Sequence, residues 1–158
     1  EGRHEITTEG GLDVVAQEGR LGEVVARLGD AGIVSSVFID AELPQIEAAA
    51  RIGARVCEIH TGPYAHAFHD RGRDAEAPAV LVELDKIRKA GQAVRRLGMR
   101  FNAGHALNYS NVQPVARLPG IRELHIGHAI ISRAIFVGLR EAVREMKALL
   151  REAAGRGE

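Results

Sequence analysis

The sequence predicts an α/β fold built on a parallel sheet, and three observations lead there. Apolar runs of strand length recur at 33–40, 54–62, 99–106 and 121–129. Helical spacing fills the gaps at 19–31, 42–53 and 77–97. The order is therefore βα repeated, and strands that alternate with helices pair in parallel through right-handed crossovers. Third, side chains alternate within each strand, giving it one apolar face and one face with polar groups.

Taken in order, the first strand, "IVSSVFID", sets Val37 and Ile39 against Ser36, Phe38 and Asp40. The helix after it has Pro44 in its first turn and Gly53 at its end, as starts and stops require. In "ARVCEIHTG", Cys57 and Ile59 share one face, while Val56, Glu58 and His60 share the other. The polar stretch "GPYAHAFHDRGRDAEAP" (62–78) predicts a long loop before the next helix, which Gly98 terminates. In "MRFNAGHA", Asn102 and Gly104 oppose Phe101 and Ala103, which leaves His105 at the mouth of the strand. Residues 108–120 leave little room for a full helix. In "IRELHIGHA", Leu124 and Ile126 oppose Glu123, His125 and Gly127. From Ile135 a last helix is expected to dock on the sheet through Leu139, Val143, Met146 and Leu150, with its "AAGRGE" tail frayed.

Parallel sheets covered on both sides read as nearly continuous apolar runs. Polar groups along one face point instead to the lumen of a barrel that opens into a ligand site. A closed eight-stranded (β/α)8 TIM barrel takes roughly 200 residues or more, and the four βα units of this 158-residue chain supply about half. The whole chain, 1–158, reads as part of one domain.

Composition narrows the function. The 21 basic and 21 acidic side chains cancel, so no one-signed surface invites nucleic acid or an anionic membrane. The single cysteine, Cys57, rules out an internal disulfide and a cysteine-based zinc motif, and a reducing cytoplasm fits. No apolar run has the length of a membrane span, and the first residues carry no signal-peptide core.

Few residues can carry chemistry. Glu58 stands mid-strand on the lumen face, where a carboxylate needs a cation or hydrogen bonds and suits general acid or base work. The plainer reading pairs it with Arg100 or Arg55. His105, flanked by Gly104 and Ala106, can exchange protons near neutral pH; the plainer reading is a solvated loop residue. Gly127 and His128 stand where the last strand gives way to a helix, and amides at such a terminus attract phosphate. "ITTEGGLD" (6–13) offers hydroxyls and a Gly-Gly turn, or only an N-cap. His60, His66, His69 and Asp70 are zinc-ligand types, but no two of these histidines stand four apart. Cys57 faces the apolar side and reads as inert core.

Together, "TTEGGLD", "FIDAELPQIEAAARIGA", "CEIHTGPYA", "FNAGHALNYSNV" and "LHIGHAIISRAIFVGLREAVREMKALL" resemble the pyridoxine 5'-phosphate synthase family of vitamin B6 biosynthesis over nearly the whole chain. The resemblance implies a (β/α)8 barrel of which this chain is the C-terminal half, in a cytoplasmic homo-octamer. It implies condensation of 3-amino-2-oxopropyl phosphate with 1-deoxy-D-xylulose 5-phosphate to pyridoxine 5'-phosphate, phosphate and water, with no metal or organic cofactor. Carried over by position, Thr7 would help bind the deoxyxylulose phosphate, Glu58 would stabilise a transition state and His105 would donate a proton. The amide of Ala106, with Gly127 and His128, would hold the aminoketone phosphate. The family has glycine where this chain has Ala106, and a positive φ there would make the methyl group costly. The resemblance also implies a first half that carries further proton acceptors and substrate-binding arginines. The chain alone is therefore expected to be inactive, and the alternative is a non-catalytic half-barrel that binds a phosphorylated metabolite or self-associates.

Overall fold

A computed structural model describes residues 10–155. Four strands, β1 (Ser36–Ile39), β2 (Val56–His60), β3 (Arg100–Gly104) and β4 (Ile121–His125), form one parallel sheet in the order β1-β2-β3-β4. Seven helices accompany them among the described residues: α1 (Glu18–Asp30), α2 (Leu43–Arg51), α3 (Gly62–Asp70), α4 (Pro78–Arg96), α5 (Val112–Ala116), α6 (His128–Val137) and α7 (Leu139–Gly155). Each strand lies inside a predicted run, and α1, α2 and α4 match the predicted helices to within a few residues. Gly53 and Gly98 close α2 and α4 with positive φ, as their positions foretold.

Register turns alternation into two surfaces. Val37, Cys57 and Phe101 lie side by side, as do Ile39, Ile59 and Ala103, and all six are buried. Ile46, Ala48 and Ala49 of α2 and Ile87, Ala90 and Val94 of α4 join them in one core. Small residues let the helices come close. A Cβ at Gly91 of α4 would sit 2.3 Å from the Phe101 ring, so helix and sheet could not meet there with any larger residue. On the opposite face the register aligns Phe38, Glu58, Asn102 and Glu123 in one row, and His60, Gly104 and His125 in the next. A bulge between Phe101 and Asn102 brings Glu123 and His125 into those rows.

Three expectations need correction. Residues 62–78 are not all loop: α3 starts at Gly62 with Pro63 in its first turn. Tyr64, Ala65 and Phe68 are buried there, in a helix that packs against α4. Exposed His66, His69 and Asp70 on the other side masked that narrow apolar stripe in the sequence. The last helix is two helices, because Gly138 at φ 81° and ψ 153° breaks the chain between α6 and α7, where an L-residue would be strained. Finally, α7 packs on α5 and α6 through Ala142, Met146 and Ala153, with Leu139 and Val143 exposed, and it continues in helical form to Gly155.

Candidate functional site

The polar face of the sheet opens, at the C-terminal ends of the strands, into a cleft of about 840 Å³. Ligands of parallel α/β folds bind at that end of the strands. Five residues singled out from sequence, Glu58, His105, Ala106, Gly127 and His128, line it together, and His60, His66 and His125 join them. Thr7 lies outside the described residues.

Glu58 is held from the neighbouring strands. Its Oε2 lies 2.6 Å from Nδ1 of His125, which donates, so the partner is the β4 histidine rather than Arg100 or Arg55. His125 Nε2 also stands 3.5 Å from Glu123 Oε2, and Asn102 Nδ2 donates to the same oxygen at 3.1 Å. Burial disfavours the charged imidazole of His125, but the Glu58 and Glu123 carboxylates outweigh it and hold its pKa above the ordinary value. Between Glu58 and β4 stands Gly104. A Cβ on it would lie 2.2 Å from Glu58 Oε1 and 3.0 Å from the His125 Cβ, so glycine makes room for the pair.

A second pair shapes the wall beside it. The buried His60 ring points Nδ1 at Asp40 Oδ1, 2.8 Å away, while its Nε2 has no hydrogen-bond partner among the described residues. His60 meets Phe38 edge-on at 5.1 Å between centroids and His105 edge-on at 4.9 Å. His105 therefore leans on a ring rather than standing free in solvent. Burial, helped by the nearby His60, His66 and His128, pushes the His105 pKa below its ordinary value, against the opposing pull of Glu58.

The backbone of this segment is unusual. His105 has φ 82° and Ala106 φ 58°, two consecutive non-glycine residues in left-handed space. The methyl group of Ala106 thus carries the cost foreseen for a positive φ. Across the cleft Gly127 is the N-cap of α6, whose first residue is His128, and the unsatisfied amides of such a terminus favour an anion. A wall with two imidazoles and a carboxylate, beside a helix N-terminus, can move protons next to a bound phosphate.

The zinc-ligand types at 60–70 do not converge. His60 turns to Asp40, while His66 and His69 lie along α3; among the described residues, no group of three histidine, cysteine, aspartate or glutamate side chains is arranged to hold a metal ion. Cys57 is buried in the core, where desolvation pushes its thiol up to about 12. No helix of the described residues is long and apolar enough to cross a membrane. Sequence reasoning named neither His125 nor Asp40 as functional. Alternation placed both on the lumen face, but only the strand register shows that one meets Glu58 and the other His60.

Comparison with known proteins joins this geometry to a family. The model of the pyridoxal phosphate biosynthesis protein PdxJ matches residues 1–152. A pyridoxine 5'-phosphate synthase of Dechloromonas aromatica is 81% identical over 158 residues, 100% of this chain and 63% of the relative. The synthase of Aromatoleum aromaticum is 78% identical over 157 residues, 99% of this chain and 62% of the relative. That of Magnetococcus marinus is 53% identical over 153 residues, 97% of this chain and 60% of the relative. The chain thus spans about three fifths of the length of these relatives. Matched along nearly its whole length, the chain belongs to the PdxJ family of pyridoxal phosphate biosynthesis proteins.

Proposed function

We propose that this chain supplies part of a pyridoxine 5'-phosphate synthase, which joins 3-amino-2-oxopropyl phosphate to 1-deoxy-D-xylulose 5-phosphate and releases pyridoxine 5'-phosphate, phosphate and water by acid/base catalysis. The observation that carries the reading is the convergence of Glu58, His105, Ala106, Gly127 and His128 on one cleft, in a chain 81% identical to a protein of that name. On this reading the four βα units are half of an eight-stranded barrel. The strands that close it belong to the part of the relatives' length that this chain does not span.

The chemistry asks for repeated proton transfers. An amine adds to a ketone and expels water, phosphate leaves, and the ring closes and dehydrates; each step needs an acid or base within reach. His105 serves as proton donor. Its pKa is lowered by burial and by the neighbouring imidazoles, and a phosphate dianion bound beside it would pull the other way, toward the imidazolium. Glu58, oriented by His125, stabilises positive charge that develops on the substrate nitrogen. The Ala106 amide, Gly127 and His128 hold the aminoketone phosphate, and Thr7 contributes to binding the deoxyxylulose phosphate. The reaction needs no metal or organic cofactor, the enzyme works in the cytoplasm, and copies associate, as far as an octamer. Exposed Ile131, Ile135 and Phe136 on α6 support a surface that is covered in the complete assembly.

The test is a chimera in which this chain replaces the matching segment of the Dechloromonas aromatica relative. Given both phosphorylated substrates, it is expected to form pyridoxine 5'-phosphate. A folded chimera that makes none would sink the proposal. The other reading is a non-catalytic half-barrel that binds a phosphorylated metabolite or self-associates. The edge of the sheet at β4, which pairs with no further strand among the described residues, favours it, and it predicts that the 158-residue chain binds an aminoketone phosphate while the chimera stays inactive.

A further inference from the structure

Thr61 and Asn111 do something their positions do not call for. Each is the N-cap of a helix, Thr61 of α3 and Asn111 of α5, and threonine and asparagine are residue types that favour this position because their side-chain oxygens accept the first amides. Neither makes a capping bond. Both are buried, and both turn their side chains to the backbone carbonyls around His105 and Ala106. The Thr61 hydroxyl lies 2.5 Å from the carbonyl oxygens of both Gly104 and His105, while the Thr61 amide donates to Gly104 at 2.8 Å. Asn111 Nδ2 donates to the Ala106 carbonyl at 3.2 Å, and its Oδ1 accepts the Asn108 amide at 2.7 Å. Tyr64, fully buried in α3, donates its hydroxyl to the Asn111 carbonyl at 2.8 Å and so ties this half of the arrangement to the helix that begins at Thr61.

We propose that Thr61 and Asn111, with Tyr64 behind them, are positioning residues that clasp the His105–Ala106 turn in its left-handed conformation and thereby hold His105 against the cleft. Three successive carbonyls, 104 to 106, face two buried side-chain donors: the Thr61 hydroxyl, whose one proton serves Gly104 or His105 at a time, and Asn111 Nδ2 on Ala106. They are also the carbonyls of the segment whose backbone is least favourable, with φ 82° and 58°. Strained backbone persists only where its surroundings over-determine it. Here two helix caps are given up to do so. The inference rests on the reading of this cleft as the reactive site. It adds residues that touch no substrate and act through the shape of the turn.

The test is nuclear magnetic resonance on the 158-residue chain, following the three-bond couplings that report φ at His105 and Ala106 and the titration of the His105 ring. In Thr61→Val, which keeps the shape and loses the hydroxyl, the couplings are expected to move to averaged values. The His105 midpoint should rise toward about 6.5, the value of an unperturbed imidazole, as the ring gains solvent and leaves His60, His66 and His128. Glu58, which pulls the other way, stays in place on β2. Thr61→Ser keeps the hydroxyl and should restore both readouts, and Asn111→Ala should loosen φ at Ala106 more than at His105. Wild-type couplings and midpoint in a folded Thr61→Val chain would overturn the proposal. Should Thr61→Val not fold, a second substitution, Ala106→Gly, which removes the left-handed cost at 106, must restore folding; failure there would place Thr61 in the general core and likewise overturn it. Titration with inorganic phosphate separates this inference from the functional reading. An Ala106 amide that ignores phosphate in the wild-type chain counts against the phosphate role, whereas the Thr61 comparison stands without any ligand.

Discussion

Replacing Ala106 by glycine should stabilise this protein, against the usual expectation for alanine and glycine. Ala106 sits at φ 58°, where the Cβ of an L-residue crowds the following carbonyl at about 1–2 kcal/mol. Its side chain is exposed, so removing the methyl group forfeits little buried area. Glycine loses more freedom on folding, which costs about 0.4–1 kcal/mol. At the middle of the two ranges the balance favours Ala106→Gly by about 0.8 kcal/mol, which for a chain of this size is a rise of about 2–3 °C in Tm. Urea and thermal unfolding of the two chains, followed by circular dichroism, would measure it. A glycine variant of equal or lower stability, with an unchanged denaturant slope, would refute the claim that the turn is strained at 106.

Other consequences concern the Glu58–His125 pair and the core. Gly104→Ala places a methyl group 2.2 Å from Glu58 Oε1 and 3.0 Å from the His125 Cβ, pushing on both partners, so the pair should loosen and the His125 titration midpoint, read by nuclear magnetic resonance, should fall. Because the folded-state pKa of His125 is raised, its protonated form adds stability that is complete below about pH 6.5, the unfolded value, and is lost as pH rises through the higher folded value. The stability deficit of His125→Gln should therefore be largest at pH 5 and shrink above neutrality; a deficit that does not vary with pH would remove the pair from the account. Phe101→Ala, deep in the core against Gly91, should cost about 3–5 kcal/mol in urea unfolding. With its thiol pushed up to about 12 inside the core, Cys57 should resist a disulfide reagent at pH 8 until denaturant is added.

Strand alternation was strong enough in the sequence to assign Val37, Ile39, Cys57, Ile59, Phe101 and Ala103 to the covered face, and burial agrees at each. It also put Glu58 and His60, Asp40, and Glu123 and His125 on the other face. The Glu58–His125 and His60–Asp40 pairs were not readable, because a pair depends on which strands neighbour each other and in what register, and the bulge at Phe101 shifts that register at β4. Helix α3 was hidden because only Tyr64, Ala65 and Phe68 mark its buried side, between exposed polar residues. The break at Gly138 went unseen since a glycine inside a helical pattern reads equally well as a small interior residue. For His105 the sequence could ask whether it was a solvated turn or a functional group. The turn removes the loose-loop alternative, because two left-handed residues anchored by buried Thr61 and Asn111 are held in place, and the chemical role of His105 stays with the proposal.

The central claim is that His105 passes a proton to the reacting substrate while Glu58 steadies the charge beside it, and it is tested most directly by the rate of pyridoxine 5'-phosphate formation in the chimera with the Dechloromonas aromatica relative. His105→Ala in that chimera is expected to lower kcat by about 10²–10⁴-fold, the usual range for removal of a general acid. On the proposed reading, in which the Ala106 amide, Gly127 and His128 hold the phosphate, KM should change less than kcat. A His105→Ala chimera that folds and turns over at the parent rate would contradict the account.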